Sequence, residues 1–188
     1  SYSSIKGEKM HGNRYWLTDV LKKELKFKGF IISDFDALKQ LGGTSKQTVE
    51  KGINAGIDMV MVPYDYKTFI TNLTELVEEK KVSEERINDA VRRILYVKYK
   101  AGLFDSPYSD KDAALKVGSA EHRAVAREAV RESLVVLKND NFFPLKKDLK
   151  KIVLCGDRAS DIGSQCGGWT IDWQGSTGKV TQGTDIVT

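Results

Sequence analysis

The sequence predicts an α/β fold built on parallel strands, and three observations carry that reading. The run Lys28-Gly29-Phe30-Ile31-Ile32-Ser33-Asp34-Phe35 is a short apolar strand ending abruptly on an acid, and its uninterrupted character suits a strand buried on both faces. A helix-then-strand pattern occurs twice in succession between positions 18 and 62, which makes the two strands parallel neighbours. After a turn-rich stretch, a new helix-then-strand pattern starts near position 119.

Taken in order, Thr18 to Phe27 puts Val20, Leu21, Leu25 and Phe27 near one stripe, with Thr18 placed to cap the start and Gly29 the end. Thr44 to Ala55 repeats the arrangement with Val49 and Ile53. Gly56 closes it, and the apolar run Ile57 to Val62 follows, interrupted by Asp58 and stopped by Pro63. A third helix is predicted over about Tyr66 to Lys80. A fourth, Glu84 to Lys100, carries Ile87, Ala90, Val91, Ile94 and Leu95 at helical spacing, with Ser83 before it, Glu84 and Glu85 at its positive end and Gly102 after it. Leu103 to Asp110 holds turn residues and Pro107, and a domain boundary is predicted there. Ser119 then caps a helix from Ala120 in which Val125, Ala126, Ala129, Val130 and Ser133 form a small-residue stripe suited to packing on a sheet. Leu134 to Leu137 reads as a strand or the apolar end of that helix, and Lys151-Ile152-Val153-Leu154-Cys155-Gly156 as another strand.

Composition narrows the functions. Of 188 residues, 40% are hydrophobic, and 30 basic against 26 acidic residues leave a net charge of only +4, spread along the chain, so a nucleic-acid footprint is not expected. No stretch reaches membrane-spanning length. Ser1 begins in mid-pattern without an initiating Met, so the chain reads as an internal piece of a longer polypeptide. Cys155 and Cys166 read as two reduced thiols, although their spacing also permits a bridge. Asn72-Leu73-Thr74 is a glycosylation tripeptide inside a predicted helix.

Residues past the carboxyl end of a parallel strand stand where such folds place their chemistry, which makes Asp34 the first candidate for a reacting group. The competing role for Ser33 or Asp34 is to cap a following helix. His11 and His122 are far apart and lack partners at ligand spacing, so no metal site is expected and each reads as structural or surface. Gly175 to Val180 has too few residues between its glycines for a phosphate loop and reads as a glycine-rich turn. Trp169 and Trp173, four apart, either fill core space on a helical turn or stand on a loop at a cleft. Their neighbours Gly167, Gly168, Thr170, Asp172, Gln174 and Gly175 favour the loop.

Several motifs carry a resemblance along nearly the whole chain: Ser1-Tyr2-Ser3-Ser4, Lys9-Met10-His11, Phe27-Lys28-Gly29-Phe30, Ser33-Asp34, Ala55 to Pro63, Glu121-His122-Arg123, Ala126-Arg127-Glu128-Ala129, and Cys166 to Gly175. In this order they resemble glycoside hydrolase family 3, and the last resembles its β-glucosidase or exo-β-glucanase branch. The resemblance implies the C-terminal part of a (β/α)8-type barrel over 1–104, a linker over 105–118, and the beginning of an α/β sandwich domain over 119–188. It implies Asp34 as catalytic nucleophile, Tyr2 close to that acid, Met61 near the bound sugar, and Trp173, with Trp169 beside it, as one wall of an aromatic slot for the next glucose unit. Phe35 stands where that branch commonly has Trp, the opposite wall of the slot.

The implied chemistry is retaining β-glucoside hydrolysis, releasing glucose from non-reducing ends and needing no cofactor. Two carboxyl groups about 5–5.5 Å apart serve such a reaction, one attacking the anomeric carbon and the other protonating the departing oxygen. Aromatic walls suit a sugar because its C–H faces are apolar while its hydroxyls point outward. The family's general acid is expected beyond Thr188, in the remainder of the parent chain, so the isolated 188 residues are expected to be inactive. The implied partner is a β-glucoside or β-glucan oligosaccharide, and the implied setting is secreted, cell-wall or periplasmic. Two alternatives stay open: a non-catalytic carbohydrate-binding relative, and an unrelated α/β phosphate-binding domain resting on Gly175 to Lys179.

Overall fold

A computed structural model of the chain describes residues 2–187. Ser1, the first residue of the Ser1-Tyr2-Ser3-Ser4 motif, and Thr188, the last of the predicted sandwich segment, lie outside the described residues. The chain forms two units, one ending at Ser119 and one beginning at Ala120.

The first unit opens with an antiparallel hairpin, β1 (Ser4–Ile5) and β2 (Glu8–Lys9), and a 3-10 turn at Met10–Gly12. Tyr15–Glu24 then winds as a π-helix, which corrects the predicted span of Thr18 to Phe27. The helix opens early because Asn13 Oδ1 accepts the Trp16 N–H at 3.1 Å. Thr18, expected to be its cap, lies inside it and donates its hydroxyl to the Ala55 carbonyl at 2.8 Å. At the other end Lys26 takes a left-handed conformation (φ 54°), so the helix stops well before Gly29.

The two predicted strands are present only as extended segments that meet at a single parallel bridge, Ile32 with Met59, so their parallel pairing is found but their predicted lengths are not. Met59 N–H donates to the Ile31 carbonyl at 3.1 Å and Ser33 N–H to the Met59 carbonyl at 2.9 Å. The next rung is diverted: Met61 N–H goes to Ser33 Oγ at 2.8 Å instead of to the Ser33 carbonyl. Burial on both faces is not found. Side chains alternate between faces along a strand, and the face carrying Ser33 and Val60 is covered whereas Ile32 on the other is 48% exposed. A pair of strands backed by helices on one side leaves the second side open.

Between and after these segments come helices α1 (Ser45–Ala55), α2 (Tyr66–Glu78) and α3 (Glu84–Lys100). Thr44 and Gln47 form a reciprocal capping box at the start of α1. Gly56 ends it at φ 120°, where a Cβ would lie 2.4 Å from Thr18 Oγ1, so the position requires glycine twice over. Helix α2 stops short of the predicted Lys80, which is left-handed at φ 60°. Asn72 on α2 donates to Ser45 Oγ at 3.0 Å, tying α2 to the start of α1. Helix α3 has its predicted bounds, with Ser83 Oγ accepting the Arg86 N–H at 3.2 Å. The core is built from Leu38, Leu41, Val49, Ile53, Ile57, Leu76 and Val82, with Leu17, Phe69 and Ile87 packed against it.

At the amino-terminal end of the strand pair, Asp58 is the centre of a buried charge network. Its Oδ1 accepts from Lys22 Nζ at 2.6 Å and from Arg86 Nη2, and its Oδ2 accepts the Ile31 N–H at 2.8 Å. Its side chain is fully excluded from solvent. Asp89 extends the network by accepting from Arg86 at 2.7 Å and from Arg93 at 3.1 Å, and Arg93 in turn donates to the carbonyls of Phe27 and Gly29. Burial pulls the Lys22 ammonium below its ordinary range against the pull of Asp58. The Asp89 carboxyl is also held low: burial pushes it upward, but the positive charges of Arg93, Arg86 and Lys22 prevail. The apparent interruption at Asp58 is thus the joint between the π-helix, the strands and α3.

In the second unit α4 (Ala120–Ser133) forms as predicted, but among the described residues its small-residue stripe packs on no sheet: Val125 and Val130 are 69% and 58% exposed. Residues 151–156 form no strand, and Ile152, Val153 and Leu154 are exposed. A lone strand has no neighbour for its backbone groups, and among the described residues of this unit none pairs with 151–156. Leu134 to Leu137 is likewise irregular. Cys155 and Cys166 are both free and exposed. The ordered knot of the unit is α5 (Ile162–Cys166), whose cap Asp161 accepts the N–H groups of Ser164 at 3.0 Å and Gly178 at 2.7 Å. These two backbone donors hold the Asp161 carboxyl below its usual range. Gly178 also accepts the Gly163 N–H at 2.9 Å, so the glycine-rich turn at 175–180 packs on α5.

Candidate active site

The site is assembled where the strand ladder ends. Ser33, almost fully buried, receives the Met61 N–H on its hydroxyl and donates that hydroxyl to the Asp34 carbonyl at 2.9 Å. One serine therefore stops the ladder and sets the turn that projects the next residue. Asp34 is half-buried, its Oδ1 accepting the Phe35 N–H at 2.8 Å, while its own N–H donates to His11 Nε2 at 2.9 Å. A carboxylate bonded to the very next amide is oriented locally and caps no α-helix. The turn closes with Asp36 N–H on the Met61 carbonyl at 3.0 Å, Asp36 itself being left-handed at φ 53°.

Tyr2 donates its hydroxyl to the Phe35 carbonyl at 2.6 Å, and its backbone carbonyl is held by Lys9 Nζ at 2.8 Å. Partial desolvation pushes the Tyr2 phenol above its ordinary range, and the Asp34 carboxylate beside it and then Asp36 push further. Met61 is 39% exposed on the open face of the strand pair. Phe35 is 49% exposed, and its ring meets that of Tyr64 edge-on, centroids 6.2 Å apart at 88°. Tyr2, Asp34 and Phe35 are therefore linked directly in the first unit, and Met61 is held beside them through Ser33 and Asp36.

Trp169 and Trp173 belong to the second unit. They are 83% and 65% exposed, with rings 6.3 Å apart at 58°, and Trp169 N–H donates to the Trp173 carbonyl at 3.2 Å. Trp169 is left-handed at φ 64° and Thr170 bridges to Asp172, so the segment is a tight loop and the core-filling helical turn is excluded.

His11, read from the sequence as structural or surface, is a structural residue of the site. It is 5% exposed, and because Nε2 accepts the Asp34 amide, the neutral ring carries its proton on Nδ1. His11→Ala leaves that amide without its acceptor, and in the intact protein a loss of roughly 1–3 kcal/mol in stability is expected, read by urea unfolding. His11→Gln, whose side-chain carbonyl can take the same N–H, is expected to recover part of it.

Among the described residues no group of three or more His, Cys, Asp or Glu is placed to hold a metal ion, and no helix is long and apolar enough to cross a membrane. Comparison with known proteins then decides the family. The sequence profile of the glycosyl hydrolase family 3 N terminal domain matches residues 1–97, more than half of the chain. The chain belongs to glycosyl hydrolase family 3. A lysosomal beta glucosidase of Dictyostelium discoideum is 35% identical over 98% of the chain and 24% of that protein. A periplasmic beta-glucosidase of Salmonella typhimurium is 36% identical over 89% of the chain and 23% of that protein. Among solved structures, the exo-1,3/1,4-beta-glucanase of a Pseudoalteromonas species superposes with a TM-score of 0.77 at 41% identity, over 92% of the chain and 22% of that structure. The chain thus spans about a quarter of the length of the relatives it matches. Membership of this family replaces the reading as an unrelated phosphate-binding domain, and Gly178, the turn's last glycine, already spends its N–H on Asp161 and its carbonyl on Gly163.

Proposed function

We propose that the chain is part of a retaining, exo-acting β-glucoside hydrolase that frees glucose from non-reducing ends by double displacement, with Asp34 as nucleophile. The observation that carries this reading is the placing of Asp34: one residue beyond a parallel ladder, half-buried, with one carboxylate oxygen fixed by the Phe35 amide and its main chain clamped by His11 and Ser33. An acid so held meets an anomeric carbon in one orientation and loses little freedom on reaction. Attack forms the Asp34–glucosyl ester and breaks the glycosidic bond, a general acid giving its proton to the leaving oxygen. Water, deprotonated by the same group, then cleaves the ester.

Within this reading residues 1–104 are the last part of the barrel, 105–118 the linker, and 119–188 the opening of the sandwich domain. Tyr2 and Met61 border the sugar, Phe35 and the Trp169–Trp173 loop supply aromatic walls, and the general acid lies in the remainder of the protein. No cofactor enters the chemistry. Relatives named periplasmic and lysosomal favour a setting outside the cytosol, with secretion or the periplasm as the reading for this chain.

Proton NMR of aryl β-glucoside hydrolysis by the intact protein tests the stereochemistry. β-Glucose is expected as first product, mutarotating afterwards, and α-glucose as first product would refute double displacement. The isolated chain is expected to turn over the same substrate more slowly than the intact protein by about a hundredfold to ten-thousandfold, the range that loss of a general acid–base partner spans.

A further inference from the structure

We propose that Tyr64 is a specificity-determining residue: with Phe35 it forms a composite aromatic wall beside Asp34 that receives the ring of the leaving group. The inference rests on the reading of Asp34 as nucleophile and names a contact that reading leaves open.

Tyr64 is 79% exposed and Phe35 49%, yet their rings are ordered against each other edge-on. Two large rings left in solvent add little to the core, and a perpendicular pair keeps ring faces open to a flat apolar partner. Both rings follow the carboxyl ends of the two parallel segments, Phe35 directly after Asp34 and Tyr64 just after Pro63. The two loops are laced together by Asp36 N–H on the Met61 carbonyl. Phe35 is anchored on both sides, its N–H on the Asp34 carboxylate and its carbonyl under the Tyr2 hydroxyl. Phe35 is therefore fixed relative to the Asp34 carboxylate, and Tyr64 is carried on the loop tied to it.

The ligand chemistry is a six-membered ring with an apolar face, as the second sugar of a disaccharide presents. Phe35 alone offers one phenyl ring. Tyr64 enlarges the contact, and its hydroxyl adds a donor and acceptor for a sugar hydroxyl.

The test compares kcat/KM of the intact enzyme for laminaribiose, whose leaving group is a glucose ring, with that for β-glucosyl fluoride, whose leaving group has no ring. In Tyr64→Ala the laminaribiose-to-fluoride ratio is expected to fall by about threefold to tenfold, the worth of one aromatic contact. Tyr64→Phe is expected to restore most of it. A ratio equal to wild type in Tyr64→Ala, or both rate constants falling by the same factor, would overturn the proposal, the second result making Tyr64 a support of the acid's loop. The underlying reading fails separately: Asp34→Ala retaining turnover of the fluoride would remove the nucleophile, whatever the ratio in the Tyr64 variants.

Discussion

Asp34→Ala in the intact protein is expected to lower kcat for an aryl β-glucoside by roughly a thousandfold or more, the scale on which loss of a covalent nucleophile is felt. Removal of the side chain costs the hydrogen bond from the Phe35 amide and the side-chain contact with the Tyr2 hydroxyl, while the clamps on the main chain from His11 and Ser33 stay in place. The fold should therefore survive, and unfolding midpoints of variant and wild type should nearly coincide. Added azide provides a control for a misfolded site. It can enter the space left by the carboxylate and attack the anomeric carbon, giving an α-glucosyl azide and restoring part of the rate. Turnover close to wild type without azide would remove Asp34 from the chemistry.

The largest effect on stability is expected at the opposite end of the strands. Asp58→Ala leaves Lys22 and Arg86, whose side chains are 5% and 15% exposed, with only the more exposed Asp89 as a shared carboxylate, and leaves the Ile31 N–H without the Asp58 acceptor. Breaking a buried ion pair from one side costs about 3–5 kcal/mol, because an uncompensated charge remains inside. Urea unfolding of the intact protein is expected to show that loss in the transition of the first unit. Arg86→Met is expected to cost less, since Asp58 keeps Lys22 at 2.6 Å and the Ile31 amide. Equal losses from the two variants would contradict the central place given to Asp58. Asp58 thus joins elements at the amino-terminal end of the strand pair, while Asp34, the proposed nucleophile, stands at the carboxyl end.

The parts of the fold legible in the sequence are those decided by neighbours a few residues apart. The capping box of Thr44 and Gln47, the stop at Gly56, and the run from Ser83 to Lys100 each depend on contacts within one or two helical turns. Thr18 reads as a helix cap by the same local logic and is used differently, because its hydroxyl finds the Ala55 carbonyl 37 residues away. Asp58 reads as an interruption in an apolar run because its partners Lys22 and Arg86 are 36 and 28 residues distant. His11 reads only as structural or surface for the same reason, its contact with Asp34 spanning 23 positions and leaving no spacing rule to find it. Residues 151–156 have the composition of a strand, but composition does not supply a neighbouring edge, and none of the described residues provides one.

The position of Asp34 is legible from the apolar run that ends on it, and, in the second unit, the loop character of Trp169 and Trp173 from their flanking glycines. Tyr2 and Met61 come only from the family resemblance, since neither residue type announces chemistry by itself. The pairing of Phe35 with Tyr64 joins residues on two different loops, 29 positions apart in the sequence, which the parallel register of Ile32 with Met59 and the Asp36–Met61 bond bring together.

The most direct measurement is covalent trapping. Incubating the intact protein with a 2-deoxy-2-fluoro-β-glucoside bearing a good leaving group slows both steps, the second more, so that the glycosyl-enzyme accumulates. Digestion and mass spectrometry should then find one fluoroglucosyl group on the peptide containing Ser33-Asp34-Phe35, with fragmentation assigning it to Asp34. A stoichiometric adduct on any other carboxylate would contradict the assignment on which the proposed reaction stands.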